Sequence, residues 1–118
     1  MRSWNLLEIE TPGGSLSPVV LDSQEPVVRA VLIGLEPGQK LGEHEVKEHA
    51  FVLVVEGIVQ VEAGNERIDA PAGTLLQFQP EERHAVSSSG GARLLLFLAP
   101  WPGLGHYRGG GAGRAGAG

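Results

Sequence analysis

The stretch VVEGIVQVEAGNERIDAPAGTLLQF, residues 54 to 78, decides how this chain folds. Ile58-Val59-Gln60-Val61-Glu62 alternates, so Val59 and Val61 share one face and Gln60 and Glu62 the other. Gly64-Asn65 then supplies a hairpin turn signal. Upstream, Glu56-Gly57 separates this strand from the apolar run Ala50 to Val55 and reads as a tight turn or a bulge, with glycine taking a backbone angle that other residues resist. Downstream, Pro71 and Gly73 precede a further run, Thr74 to Phe78.

The same rhythm extends outward. Apolar runs recur from Val27 to Leu35 and from Arg93 to Ala99, and Gly or Pro punctuates nearly every gap. A helix crossing these breakers would lose about 3 kcal/mol at each interior proline. The runs are rich in Val, Ile and Leu, which suits strands. Val27 to Ile33 is almost continuously apolar, as in a strand covered on both sides. For Leu94 to Leu98 a short buried helix has the same composition. About eight strands at roughly ten-residue spacing predict an all-β sandwich or barrel.

With 118 residues, the chain suits a single domain. It contains no cysteine, which removes thiolate catalysis, disulfides and thiolate metal sites together. The net charge of −5, with no Lys/Arg cluster, repels phosphate backbones, so nucleic acid is not an expected partner. MRSWNLLEIETPGG has one basic residue and no apolar core before Glu8, unlike a secretory signal, and no apolar run approaches a membrane span. The expected compartment is the cytoplasm and no membrane partner is expected. Residues 1–107 are expected to form the single domain, and RGGGAGRAGAG, residues 108–118, a flexible Gly/Ala-rich tail without side chains to bury.

The candidate chemistry lies in EHEVKEHAFVLVVEG, residues 43 to 57. His44 has the parity of Val46, Glu48, Ala50 and Val52, whereas His49 points to the other face unless a loop or bulge resets the alternation. His44 with Glu48 is therefore a possible pair, and His44 with His49 needs a break between them. Gln77 and Gln79 share a face of their run; they either line a cavity or face solvent while Leu76 and Phe78 pack. Arg67 and Asp69 have equal parity and are expected to form a weak surface pair.

Residues 38 to 88 resemble the cupin superfamily in two motifs. In the first, Gly38 is followed by QKLGE and His44, and Gly57 closes the motif in register. Val46 stands where that family has a second histidine and Ala50 where it has a glutamate. In the second, Gly73 and TLLQF lead to Gln79-Pro80-Glu81 and then His84, with Ser88 in place of an asparagine. The resemblance implies a jelly-roll β-barrel (double-stranded β-helix) of the cupin-2 type with a degenerate metal motif. It implies a small polar ligand in the barrel mouth, held by His44 and His84 with Glu48 and Gln77 as further contacts. The alternative is a metal-dependent enzyme of dioxygenase or isomerase type. There His44 and His84, with His49 or Glu48 as a third ligand, would hold Ni, Mn, Fe or Zn. With two of the usual donors replaced, the resemblance also leaves room for no metal at all. A homodimer is implied, for which Trp101 and Tyr107, joined by Trp4, are the expected interface anchors.

Overall fold

The computed structural model describes residues 1–13, 17–44 and 46–104, with backbone alone at 42–44. Among these the apolar runs form β1 (Val19–Gln24), β2 (Val28–Leu35), β3 (Lys40–His44), β4 (His49–Ala63), β5 (Glu66–Pro71), β6 (Leu75–Phe78), β7 (His84–Ser87) and β8 (Ala92–Ala99). The run Leu94 to Leu98 is thus strand, not helix. Its continuous apolarity comes from cover on both faces: Leu94 and Leu98 enter the core, and Leu95 is buried on the opposite face.

β4 holds the architecture together. Its first half pairs with β8 and β6, its second half with β5 and β7. The register against β8 shifts between Val54 and Glu56, and Gly57 has φ +85°. The extra residue is Val55, so a bulge at Val55-Glu56, followed by the positive-φ Gly57, marks where one strand crosses from sheet to sheet, the device that turns corners in rolled sheets. One sheet runs β1-β2-β8-β4-β6, all antiparallel, and the other β3-β7-β4-β5. Gly64-Asn65 closes the β4–β5 hairpin, in which Ala63 faces Glu66. Arg67 pairs there with Glu62 directly opposite, at 3.4 Å, in place of the expected Asp69. A residue across the ladder is nearer than one two positions along the same strand.

The inner faces of the two sheets supply the core: Val31, Ile33 and Leu35 from β2, Val52, Val54, Val59 and Val61 from β4, and Val86, Leu94 and Leu98 from β7 and β8. The outer side of β2 is covered by the N-terminal segment. Arg93 donates to the Ile9 carbonyl, and Thr11 packs so closely that a Cβ on Gly34 would overlap it. Arg2 and Gln24 both donate to Asp22; chiefly through Gln24, and then Arg2, its carboxyl is held below the usual carboxylate range.

Trp101 is not an interface anchor. It is 3% exposed and belongs to the core, because the chain turns inward after β8. Trp4 is exposed beneath the Arg2 guanidinium. Tyr107, His106 and the segment 108–118 lie outside the described residues. Among the described residues no helix is long and apolar enough to cross a membrane.

The connections divide between two ends of the barrel. At one, Gly38 N–H donates to the Ser88 carbonyl and Ser88 Oγ to the Ile58 carbonyl at 2.6 Å, beside the Gly57 corner. At the other, Glu81 N–H donates to the Val46 carbonyl at 2.7 Å, and Lys47 pairs with Glu81 at 3.2 Å. This second end is the mouth.

Candidate functional site

Each strand that reaches the mouth presents one residue on its inner face. From the first sheet come Arg29, Leu98, Ala50 and Phe78, linked across neighbouring strands by the pairs Arg29–Leu98, Ala50–Leu98 and Ala50–Phe78. From the second come His84 and, directly opposite it in the β3–β7 register, position 44. The backbone thus brings positions 44 and 84, distant in sequence, to one place at the mouth, where paired residues of an antiparallel ladder share a face.

The orientation of His84 is fixed. Its ring stacks on Phe78 at 3.9 Å between centroids, 9° from parallel, and it is 6% exposed. Nδ1 lies 3.0 Å from the Glu82 carbonyl oxygen. A carbonyl only accepts, so Nδ1 carries the hydrogen and donates, and in the neutral ring the lone pair sits on Nε2. Phe78 fixes the plane and Glu82 the rotation, so the ring is oriented before any ligand arrives.

Glu48 is not a solvated loop carboxylate. It is fully buried, because it continues the inward parity of Val46, Ala50 and Val52, and its Oε2 accepts from Gly103 N–H at 2.7 Å. That bond ties the segment after β8 across the mouth. Gly103 is needed there, since a Cβ would stand 2.7 Å from the Lys47 carbonyl oxygen. Glu48→Ala would strand a buried N–H and is expected to cost about 2–3 kcal/mol. It should also expose Trp101, read as a red shift of emission in a Trp4→Phe background.

His49 is exposed and stands on the outer side of β4, away from the buried Ala50 and from His84. Gln77 is exposed as well, while Leu76 and Phe78 beside it are buried. It edges a hollow of about 130 Å³ next to Phe78, walled by Val61, Ile68 and Leu76, with Glu82 at the rim. A larger groove, about 480 Å³, lies at the other end between Glu36, Glu56 and Arg93. Glu56 is engaged there with Arg93 and Arg93 with the Ile9 carbonyl, and no histidine lines it.

A family model described as a cupin domain matches residues 31–99, more than half of the chain. The chain belongs to the cupin family. Solved structures agree with the fold. An RmlC-like cupin from Desulfovibrio desulfuricans is 24% identical, with a TM-score of 0.73 over 85% of this chain and 97% of that one. An RmlC-like cupin from Shewanella frigidimarina is 26% identical, with a TM-score of 0.69 over 79% and 83%. A cupin superfamily protein from Desulfitobacterium hafniense is 19% identical, with a TM-score of 0.69 over 76% and 82%. No functionally curated protein matched the chain.

Cupins often hold a divalent metal, and the described side chains do not assemble the donor set for one. Val46 and Ala50, at two of the motif's donor positions, are aliphatic and packed into the core at 7% and 1% exposure. The carboxylate that could shift in, Glu48, is engaged by Gly103, and His49 faces away. Among the described residues no group of three His, Asp or Glu side chains stands close enough to hold an ion. Three or four converging donors are the usual requirement.

Two features of the mouth escape a reading of the sequence. One is the inward turn of Trp101; a short tryptophan-containing segment after the last strand carries no periodicity. The other is Arg29, and there a signal exists. Arg29, Val31, Ile33 and Leu35 share parity, so a lone charge faces the inside of a strand that is otherwise apolar.

Proposed function

We propose that this cupin binds a small, partly polar organic molecule in the barrel mouth and does so without a metal. The observation that carries the reading is the contrast at the motif positions. Val46 and Ala50 have joined the apolar core, yet His84 is kept buried at the mouth with its ring oriented by Phe78 and Glu82. An apolar hollow with a few convergent polar groups suits recognition of small molecules. His84, its ring held by Phe78 and Glu82, is the first polar contact for the ligand. His44, opposite in register, is the second polar contact, and Gln77 and Glu82 serve the rim.

The test is thermal unfolding of chelator-treated protein against a panel of small metabolites and, separately, Ni, Mn, Fe and Zn. A ligand present at a hundred times its Kd stabilises by about 2.7 kcal/mol. At least one organic compound should raise Tm, and His84→Ala should remove that response. Metals should leave Tm unchanged, and elemental analysis of protein purified without an affinity tag should give well under one metal per chain. Stabilisation by a metal alone, with one ion per chain lost in His84→Ala, would overturn the proposal in favour of a metal-dependent enzyme.

A further inference from the structure

Arg29 has no hydrogen-bond partner for its Nε among the described residues, although that atom is buried. The guanidinium lies over the Trp101 ring with Cζ 4.8 Å from the centroid. Stacking satisfies the flat face of the group and leaves its Nε–H, on the edge that lies in the guanidinium plane, without an acceptor among the described residues. The geometry that completes such an edge is a planar, two-oxygen acceptor bonded side by side to Nε–H and a terminal N–H. Buried, unsatisfied donors are rare in folded proteins and mark places where an ion or ligand belongs.

We infer that Arg29 anchors the carboxylate of a small organic monoanion in the mouth, with Trp101 as the platform that holds the guanidinium flat. The inference rests on the ligand-binding reading above and names the chemical class of that ligand. Arg29 shares this end of the barrel with the carboxylates of Glu48, Glu81 and Glu82 and with the cations Lys47, paired to Glu81, and Arg83, on a chain of net charge −5. That balance suits a single negative charge and disfavours a dianionic phosphate. The inner row leading away from Arg29 is Leu98, Ala50 and Phe78, so the body of the ligand is apolar. The row spans three strand spacings, about 14 Å.

The experiment follows Trp101 emission in a Trp4→Phe background, with chelator and at constant ionic strength. The probes are sodium benzoate and hexanoate, each paired with its neutral amide. Both carboxylates should give saturable changes, and benzamide and hexanamide should bind at least about tenfold more weakly. Arg29→Lys keeps the charge but loses the fork and should weaken benzoate binding about tenfold. Arg29→Met should abolish it; if that variant fails to fold, Arg29→Lys carries the test. Equal binding of acid and amide, unchanged benzoate binding in Arg29→Lys, or no saturable response to either carboxylate would overturn the inference. His84→Ala separates the two proposals. A neutral compound whose binding needs His84, with no carboxylate binding, sinks the anion site and leaves the ligand-binding mouth. Benzoate binding that needs Arg29 and ignores His84 does the reverse.

Discussion

Gly57→Ala is expected to destabilise the fold by at least about 3 kcal/mol. Two separate costs combine. At φ +85° an alanine is in the left-handed region, which costs a non-glycine residue roughly 1–2 kcal/mol. The added Cβ would also stand 2.3 Å from the Gly91 carbonyl oxygen and 2.9 Å from Ala92 Cα, both backbone atoms that cannot swing aside. Relief requires β4 to part from β8 at the point where β4 leaves one sheet for the other. Urea unfolding should show a lower midpoint with little change in slope. At about 3–5 °C per kcal/mol for a domain of this size, Tm should fall by about 10 °C or more. Gly64→Ala is the matched control. It also has positive φ, at 62°, but nothing lies within 4 Å of the added Cβ, so it should cost only the backbone component. Equal losses in the two variants would show that the close approach at Gly57 contributes nothing.

Phe78→Ala is expected to lose about 3–5 kcal/mol, the range for deleting a buried aromatic ring. Phe78 is 3% exposed, packs in the core and forms one wall of the hollow at the mouth. The variant should also release the His84 ring, which has Phe78 against its face. Phe78→Leu isolates this second effect. It retains most of the apolar volume and should cost about 1–1.5 kcal/mol, yet it removes the aromatic face. In the wild-type protein the His84 ring protons should be shifted upfield by the Phe78 ring current. That shift should vanish in Phe78→Leu, and binding of any ligand dependent on His84 should weaken with it. An unshifted His84 spectrum in the wild-type protein would contradict the stack.

How far the sequence is legible depends on whether a residue's role is local. The β4–β5 hairpin is written in the alternation of Ile58 to Glu62 and in Gly64-Asn65, and it forms there. Glu56-Gly57 leaves turn and bulge open, because both need the same backbone angle. Only the pairing of Val54 and Gly57 with Leu94 and Ala92, residues far along the chain, selects the bulge. Parity correctly separates His49 from Ala50, and Gln77 from Leu76 and Phe78. The same parity puts Glu48 inside, but what allows a carboxylate to stay there is the Gly103 N–H, from a segment more than fifty residues later. Trp101 and Arg29 belong with it. Arg29 shows locally as a lone charge on an apolar parity and Trp101 shows nothing, and they become a pair only when β2 and β8 lie side by side. The cupin motif spacing locates positions 44 and 84 at the mouth, and Val46 and Ala50 show on their own that two donors are gone. The spacing says nothing of what replaced them.

The most direct test of the metal-free binding mouth is amide and indole chemical-shift mapping on chelator-treated, isotope-labelled protein titrated with sodium benzoate. Binding in the mouth predicts saturable shifts concentrated at Arg29, Ala50, Phe78, His84 and the Trp101 indole, with Gly34, Glu56 and Gly91 unmoved. Shifts gathered around Glu56 and Gly91, or shifts that appear only after a divalent metal is restored, would contradict it.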